Sequence, residues 1–103
     1  MLALPVTQVW PFAIGERWPR RIAGREMDTY HRWMEVTIYA TFAGAPAISL
    51  PAGFHANGRW PAGLQLMARP GDDAGLLRIA AAYEAVSGAL LALRPPEPEP
   101  LAE

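Results

Sequence analysis

The 103-residue sequence contains no cysteine and no lysine, and its only serines are Ser49 and Ser87. Without cysteine, the chain can form neither disulfides nor thiolate metal sites, and it has no cysteine nucleophile. All nine basic residues are arginine, whose pKa is too high for it to serve as a neutral general base. The composition therefore excludes several kinds of catalytic group before any motif is considered.

The net charge is also small, and long apolar runs are scarce. The formal net charge is -1 and the sequence pI is about 6.1, so the chain lacks the basic surface that favours nucleic acid or an anionic membrane. The N-terminus has no basic start and Pro5 interrupts its short apolar run, which argues against a signal peptide. No run approaches the ~18 uninterrupted apolar residues of a membrane span. We expect a cytoplasmic protein that binds neither nucleic acid nor membrane.

The length and the 51% apolar content suit one α/β domain over residues 1–94. Residues 95–103, PPEPEPLAE, have the composition of a disordered Pro/Glu tail. The first apolar run, residues 2–6, predicts a buried strand, and a strand that begins at the second residue suggests truncation.

A helix is predicted over residues 28–42, with Asp28 as its N-cap. Gly44 suits the position after the helix, where a positive φ is needed, and Pro46 prevents continuation. The apolar residues recur at three- and four-residue spacing and predict one buried stripe: Met27, Tyr30, Met34, Ile38 and Phe42.

Two further strands are predicted, residues 47–50 and residues 62–68, joined by a loop with an Asn57-Gly58 turn. The first of these lies between two prolines and is wholly apolar except for Ser49, which predicts a strand buried on both faces. Strand, helix and strand at this spacing favour a right-handed βαβ crossover, with the first two strands parallel and the third returning antiparallel. Leu64 and Leu66 would share one face of the third strand, with the two residues that follow them, Gln65 and Met67, on the other.

The last element is a helix capped by Asp72 or Asp73, which either ends near Gly88 or continues through Leu91. Its predicted core stripe consists of Leu76, Leu77, Ile79, Ala80, Tyr83 and Val86. The predicted fold class is α/β, in the order β-α-β-β-α, with a small mixed sheet of about three strands and two main helices.

Residues 9–26 are predicted to be irregular, with arginines interleaved among Trp10, Phe12 and Trp18. Such patterning occurs in proteins that bind single-stranded nucleic acid, but the acidic net charge disfavours that function. Two interpretations stay open: a connection whose aromatic residues pack on the body of the protein, or the wall or lid of a pocket.

No catalytic motif is found. Neither serine lies in the Gly-x-Ser-x-Gly motif of a nucleophilic serine. His31 and Glu35 are four residues apart, but no third residue completes a metal site with them. The glycine-containing segments match no phosphate-binding loop. We therefore expect no metal and no cofactor.

The segment Ala43–Asp73, AGAPAISLPAGFHANGRWPAGLQLMARPGDD, resembles the C-terminal region of amidase-signature hydrolases. The resemblance covers Leu2 to Gly88. It implies a chain that belongs to a larger α/β/α core and that helps to complete the central sheet of an amide-hydrolysing enzyme.

The resemblance also implies a Ser–cis-Ser–Lys triad, and no residue of this chain can be assigned to it. In the family, lysine relays protons through a bridging serine to the nucleophile. The sequence has no lysine and no Ser-Ser pair, so no catalytic residue is predicted. By position, the candidates for a substrate-channel wall are Thr7, Gln8, Trp10, Phe12, Tyr30 and Trp33, and packing in the core or a loop remains the alternative for each.

Three hypotheses follow. The chain is a C-terminal fragment of an amidase-family hydrolase, inactive alone; or a stand-alone binding or oligomerisation module; or one half of a pair whose partner chain supplies the missing amidase portion. A sheet separated from a larger one exposes strand edges and an apolar face, so we expect self-association.

Overall fold

The computed structural model describes residues 1–94; the predicted tail lies outside the described residues. The strands are β1 (Leu2–Pro5), β2 (Arg21–Ile22), β3 (Arg25–Glu26), β4 (Ala47–Phe54) and β5 (Pro61–Met67). The helices are a 3₁₀ helix (Tyr30–Thr37), α1 (Tyr39–Ala43) and α2 (Asp73–Leu91). The α/β fold class with a small three-stranded sheet and helices is confirmed.

The three-stranded sheet has the order β1-β5-β4, and both of its strand pairs are antiparallel. Strands β1 and β4 therefore run in the same direction, as the predicted crossover requires, but they are not neighbours. Strand β5 returns through the hairpin and fills the gap that the crossover leaves between them. Its C-terminal part and Ala68 are buried, which is typical of a central strand.

The predicted burial of the two outer strands is wrong. Strand β1 is largely exposed, and in the segment predicted as buried on both faces only Leu50 is buried, whereas Ser49 is exposed. In the part of the chain that the structure describes, each of these strands pairs on one side only and lies at an edge of the sheet.

The core forms between one face of the sheet and α2. Its buried members are Leu50, Leu66, Ala68, Leu76 and Ala80, with Ile48, Leu64 and Tyr83 packed against them. The predicted shared face of the two leucines of β5 is therefore confirmed. On the opposite face, the buried Gln65 donates from Nε2 to the Val36 carbonyl of the 3₁₀ helix at 3.1 Å.

Helix α2 begins as predicted, because the Asp72 carboxylate accepts from the Gly75 N–H at 3.1 Å. It continues to Leu91 with irregular backbone at Ser87, so the longer of the two predicted ends is correct. The predicted core stripe is only partly correct. Three of its members are exposed, because a three-stranded sheet covers only a narrow strip of the helix: Leu77, Ile79 and Val86.

The helix predicted over residues 28–42 is replaced by the 3₁₀ helix and the short α1. Asp28 does not cap it; its carboxylate pairs instead with the Arg32 guanidinium at 3.0 Å, which lowers the pKa of Asp28. Phe42, predicted to be buried, is 84% exposed. Gly44 does end α1 with φ 63°, as predicted.

The predicted irregular segment contains a small hairpin that the sequence interpretation missed. Strands β2 and β3 are joined by Ala23 and Gly24, which have φ angles of 48° and 79°. Two positive φ angles in a two-residue loop define a type I′ turn, where asparagine precedes glycine most favourably.

We expect Ala23→Asn to stabilise this hairpin by about 1 kcal/mol, because alanine tolerates a left-handed conformation poorly and asparagine tolerates it better. The Met27 N–H, which donates to the Arg20 carbonyl at 2.9 Å, reports on hairpin opening. Its hydrogen exchange should slow about fivefold. Gly24→Ala should accelerate the same exchange, and unchanged rates in both variants would contradict the turn assignment.

By length and composition alone, α2 could cross a membrane. A core helix of a soluble protein meets the same criteria. The Arg78 and Glu84 side chains lie near the middle of the helix, where a membrane span would place them in hydrocarbon.

Candidate channel-wall site

An open cleft of about 260 Å³ lies between the segment that follows β1 and the start of β5. The two segments are held together where the Val6 N–H donates to the Gly63 carbonyl at 3.1 Å. The cleft is lined by Pro5, Thr7, Gln8, Val9, Trp10, Pro61, Ala62 and Gly63. Three of the six predicted wall residues therefore line one cleft.

Two of these three, Thr7 and Gln8, already have hydrogen-bond partners within the chain. The Thr7 hydroxyl oxygen accepts from the Val9 N–H at 3.4 Å. The Gln8 side chain accepts from the Val36 N–H at 2.8 Å and donates to the Arg32 carbonyl at 3.3 Å. Gln8 thus fixes the cleft segment to the 3₁₀ helix.

We expect Gln8→Leu to destabilise the fold by about 1–2 kcal/mol, because the part-buried Val36 N–H loses its acceptor. Thr7→Val should cost less than about 0.5 kcal/mol, since the hydroxyl makes only local, exposed contacts. Urea denaturation of both variants measures the difference. Equal effects would contradict the clamping role of Gln8.

The other three predicted wall residues, Phe12, Tyr30 and Trp33, form a separate aromatic cluster. The Trp33 ring lies 5.7 Å from that of Phe12 and 6.1 Å from that of Tyr30, in edge-to-face arrangements. Trp18 packs on Tyr30 in the same way, at 6.1 Å. The structure therefore divides the predicted set into a cleft group and a packing group.

Trp10 instead packs against two residues that the sequence interpretation did not select for the site, His55 and Trp60. The Trp10 ring lies 4.8 Å from that of His55 and 6.3 Å from that of Trp60. Because β1 pairs with β5, the segment after β1 lies beside the loop that precedes β5. The sequence does not predict the strand order, so no sequence signal links these segments.

The hairpin loop fixes the orientation of His55. Its Nδ1 accepts from the Asn57 N–H at 3.1 Å, so in the neutral imidazole the proton is on Nε2. The Asn57 Oδ1 accepts from the Arg59 N–H at 3.0 Å, which confirms the predicted turn at this position.

The described residues show no activated nucleophile. The Ser87 hydroxyl donates to the Tyr83 carbonyl at 2.8 Å, and within residues 1–94 the Ser49 hydroxyl has no hydrogen-bonded base. Over the same range, no group of three or more His, Asp or Glu side chains could hold a metal ion. None of the residues that line the cleft is an Asp, Glu, His or Tyr that could act as a general acid or base.

Comparison with protein families shows to which family the chain belongs. The family model described as "Amidase" matches residues 1–77. The chain belongs to the amidase family. The resemblance of the sequence to the C-terminal region of amidases is thereby confirmed.

Curated relatives of this amidase-family chain include three bacterial glutamyl-tRNA(Gln) amidotransferase A subunits. The Myxococcus xanthus protein is 42% identical over 83 residues, which cover 81% of this chain and 16% of the relative. The Anaeromyxobacter dehalogenans protein is 41% identical over 98 residues, which cover 95% of this chain and 18% of the relative. The Thermus thermophilus protein is 43% identical over 84 residues, which cover 82% of this chain and 16% of the relative. The chain thus spans less than a fifth of these relatives, and no solved structure matches it.

Proposed function

We propose that this chain forms the C-terminal part of an amidase-family amide hydrolase and is inactive alone. In this role, it completes the core sheet and part of the substrate channel. The observation that carries the proposal is the absence of lysine and of any Ser-Ser pair from a chain that matches the amidase model over residues 1–77. A family that relies on a lysine and two serines cannot assemble its triad from these residues.

Exposed surface supports the need for further protein. Fifteen large apolar side chains among the described residues are exposed. Much of the exposed surface is apolar, with large contributions from Phe42 and Val86. Surface of this kind favours burial against another protein.

We propose the missing amidase portion as that partner. The test uses the Myxococcus xanthus relative with the segment that this chain matches removed. The purified chain should bind this truncated protein in a pull-down, because both then have an uncovered complementary surface. The intact relative is the control, and it should not bind, because its own segment occupies the place. Binding to neither protein, or equally to both, would overturn the proposed role.

A second candidate function is a stand-alone binding or oligomerisation module, and the two free sheet edges favour it. Within residues 1–94, strands β1 and β4 each pair on one side only. Edge strands of this kind pair readily with a second copy. In the absence of the amidase portion, light scattering should therefore give a mass of at least twice 11.2 kDa. A monomer at high protein concentration would exclude this candidate.

The proposal includes a cytoplasmic location, no cofactor, and no nucleic-acid or membrane partner. The near-neutral net charge of -1 supports the last two points, because it provides no electrostatic attraction to a polyanion or an anionic membrane.

A further inference from the structure

The outer edge of β4, which is the side turned away from β5, carries backbone groups that the sheet does not use. The Ala68 N–H donates to the Pro46 carbonyl at 3.1 Å, and in an antiparallel ladder every second residue repeats this hydrogen-bonded pairing. Ala47 and Ser49 lie at the intervening positions, so their N–H and C=O groups point away from β5. Among residues 1–94, these groups have no hydrogen-bond partner.

The open part of this edge is limited on both sides. Before it, the Ala45 N–H donates to the Ala40 carbonyl at 2.9 Å, at the end of α1. After it, Pro51 has no N–H, and its carbonyl accepts from the Tyr83 hydroxyl at 2.6 Å. The bulge between Pro51 and Gly53 then interrupts the register of the strand. Between these limits, a partner strand meets two donors and two acceptors.

The outer edge of β1 is less able to pair. The Val6 N–H donates to the Gly63 carbonyl at 3.1 Å, so by the same alternation Ala3 and Pro5 point away from β5. Because Pro5 has no N–H, the strand Leu2–Pro5 offers one outward donor, on Ala3. Strand β4, in contrast, presents two, and it contains no charged residue, which is one of the devices that keep natural edge strands from pairing.

Two copies of the β4 edge are complementary to each other about a twofold axis. With antiparallel pairing, Ala47 of one copy lies opposite Ser49 of the second copy, and each such pair exchanges two backbone hydrogen bonds. The two Ile48 residues then lie opposite each other at the axis. The next register places Ser49 opposite Ser49 but sets Ala47 against Pro51, which has no N–H and whose carbonyl already accepts from Tyr83. The first register is therefore preferred.

We propose that β4 is a homodimer interface, in which residues 47–49 of two copies pair antiparallel and join their three-stranded sheets into one continuous sheet. Ile48 packs against the core cluster under α2, so the apolar face of the sheet continues across the axis. The proposal rests on the second candidate function, self-association, and deepens it by naming the edge and the register. It does not depend on the amidase role, which binding to the truncated relative tests separately.

The register is tested by cross-linking the full chain, which has no cysteine, so each engineered thiol is unique. Ile48→Cys should form a disulfide-linked dimer under mild oxidation, because Cα atoms at a non-hydrogen-bonded pair lie about 4.5 Å apart, within disulfide range. Ser49→Cys should react at least about tenfold more slowly, since these residues lie diagonally about 7–8 Å apart. Ala3→Cys on the edge of β1 should be as slow. Faster cross-linking at either control position would overturn the register.

The interface itself is tested by removing an outward donor. Light scattering should give twice 11.2 kDa for the original chain, and Ser49→Pro should give a monomer, because proline removes an N–H that does not bond to β5. Ala3→Pro, the control on β1, should remain a dimer. Far-UV circular dichroism shows whether the variants fold, and the cross-linking series decides the matter if Ser49→Pro does not.

A monomeric original chain at high concentration would overturn the proposal, as would a folded Ser49→Pro variant that stays dimeric. If that variant stays dimeric but no longer binds the truncated relative, the edge belongs to the amidase portion and not to a second copy. Dimerisation that Ser49→Pro abolishes, together with no binding to the truncated relative, would refute the leading proposed function and leave this inference intact.

Discussion

Replacing Leu76 with alanine is expected to destabilise the chain by about 3 kcal/mol, the middle of the range for buried leucines. Leu76 is 4% exposed and packs in the cluster that joins α2 to β4 and β5. The substitution leaves a cavity in a core of only a few residues, where little surrounding protein can move in to fill it. Thermal or urea unfolding monitored by far-UV circular dichroism measures the loss.

The neighbouring residue provides a matched control. Leu77 has the same side chain on the same helix but is 61% exposed. Leu77→Ala should change the free energy of unfolding by no more than about 0.5 kcal/mol in the monomeric chain. Similar effects at the two positions would show that α2 packs through a different face, and the described core would then be wrong.

The second large effect is expected at Gly63 in the central strand. A Cβ atom there would meet Val6 Cγ1 and would lie 3.1 Å from Val6 Cβ. Because Val6 is held to this residue by a backbone hydrogen bond, neither segment can move away freely. Gly63→Val should therefore destabilise the fold by about 3 kcal/mol, at the upper end of the cost of overpacking. It should also distort the cleft that both segments line.

Val6→Ala removes the methyl group that a Cβ on Gly63 would meet, so the double variant should recover at least part of the loss. Gly88→Ala is the control for a glycine with open space around it. Apart from the neighbouring residues and the backbone of α2 itself, no atom within the described structure lies within 4 Å of a Cβ there. Since this residue is inside α2, alanine should stabilise by about 0.5–1 kcal/mol. Additive effects of Val6→Ala and Gly63→Val would contradict the steric explanation.

The sequence allowed the elements to be predicted where their local signals are strong. The Pro and Gly positions around β4 and β5 fix a hairpin, and the Asp72 cap fixes the start of α2. Apolar spacing of three and four residues suits a 3₁₀ helix as well as an α-helix, so it does not predict which of the two forms at Tyr30–Thr37. The position of β5 between β1 and β4 was not predictable from spacing, because it depends on contacts between distant segments.

Burial was the least predictable property. Apolar residues such as Phe42 and Val86, which periodicity places in a helix stripe, remain exposed in this chain. Periodicity shows which face of a helix is apolar but not how much protein is available to cover it. The same reasoning applies to the site: Thr7 and Trp10 were predicted from their place after the first strand, whereas His55 and Trp60 join them only through the pairing of β1 with β5.

The most direct test of the central claim is an assay of the purified chain for ammonia release from a panel of aliphatic and aryl amides. The proposed role predicts no release above the buffer control, because residues 1–94 present no activated nucleophile and the whole chain has no lysine. Ser49→Ala and Ser87→Ala should match the original chain. Sustained turnover that either serine substitution abolishes would contradict the account, since it would require a catalytic centre within this chain.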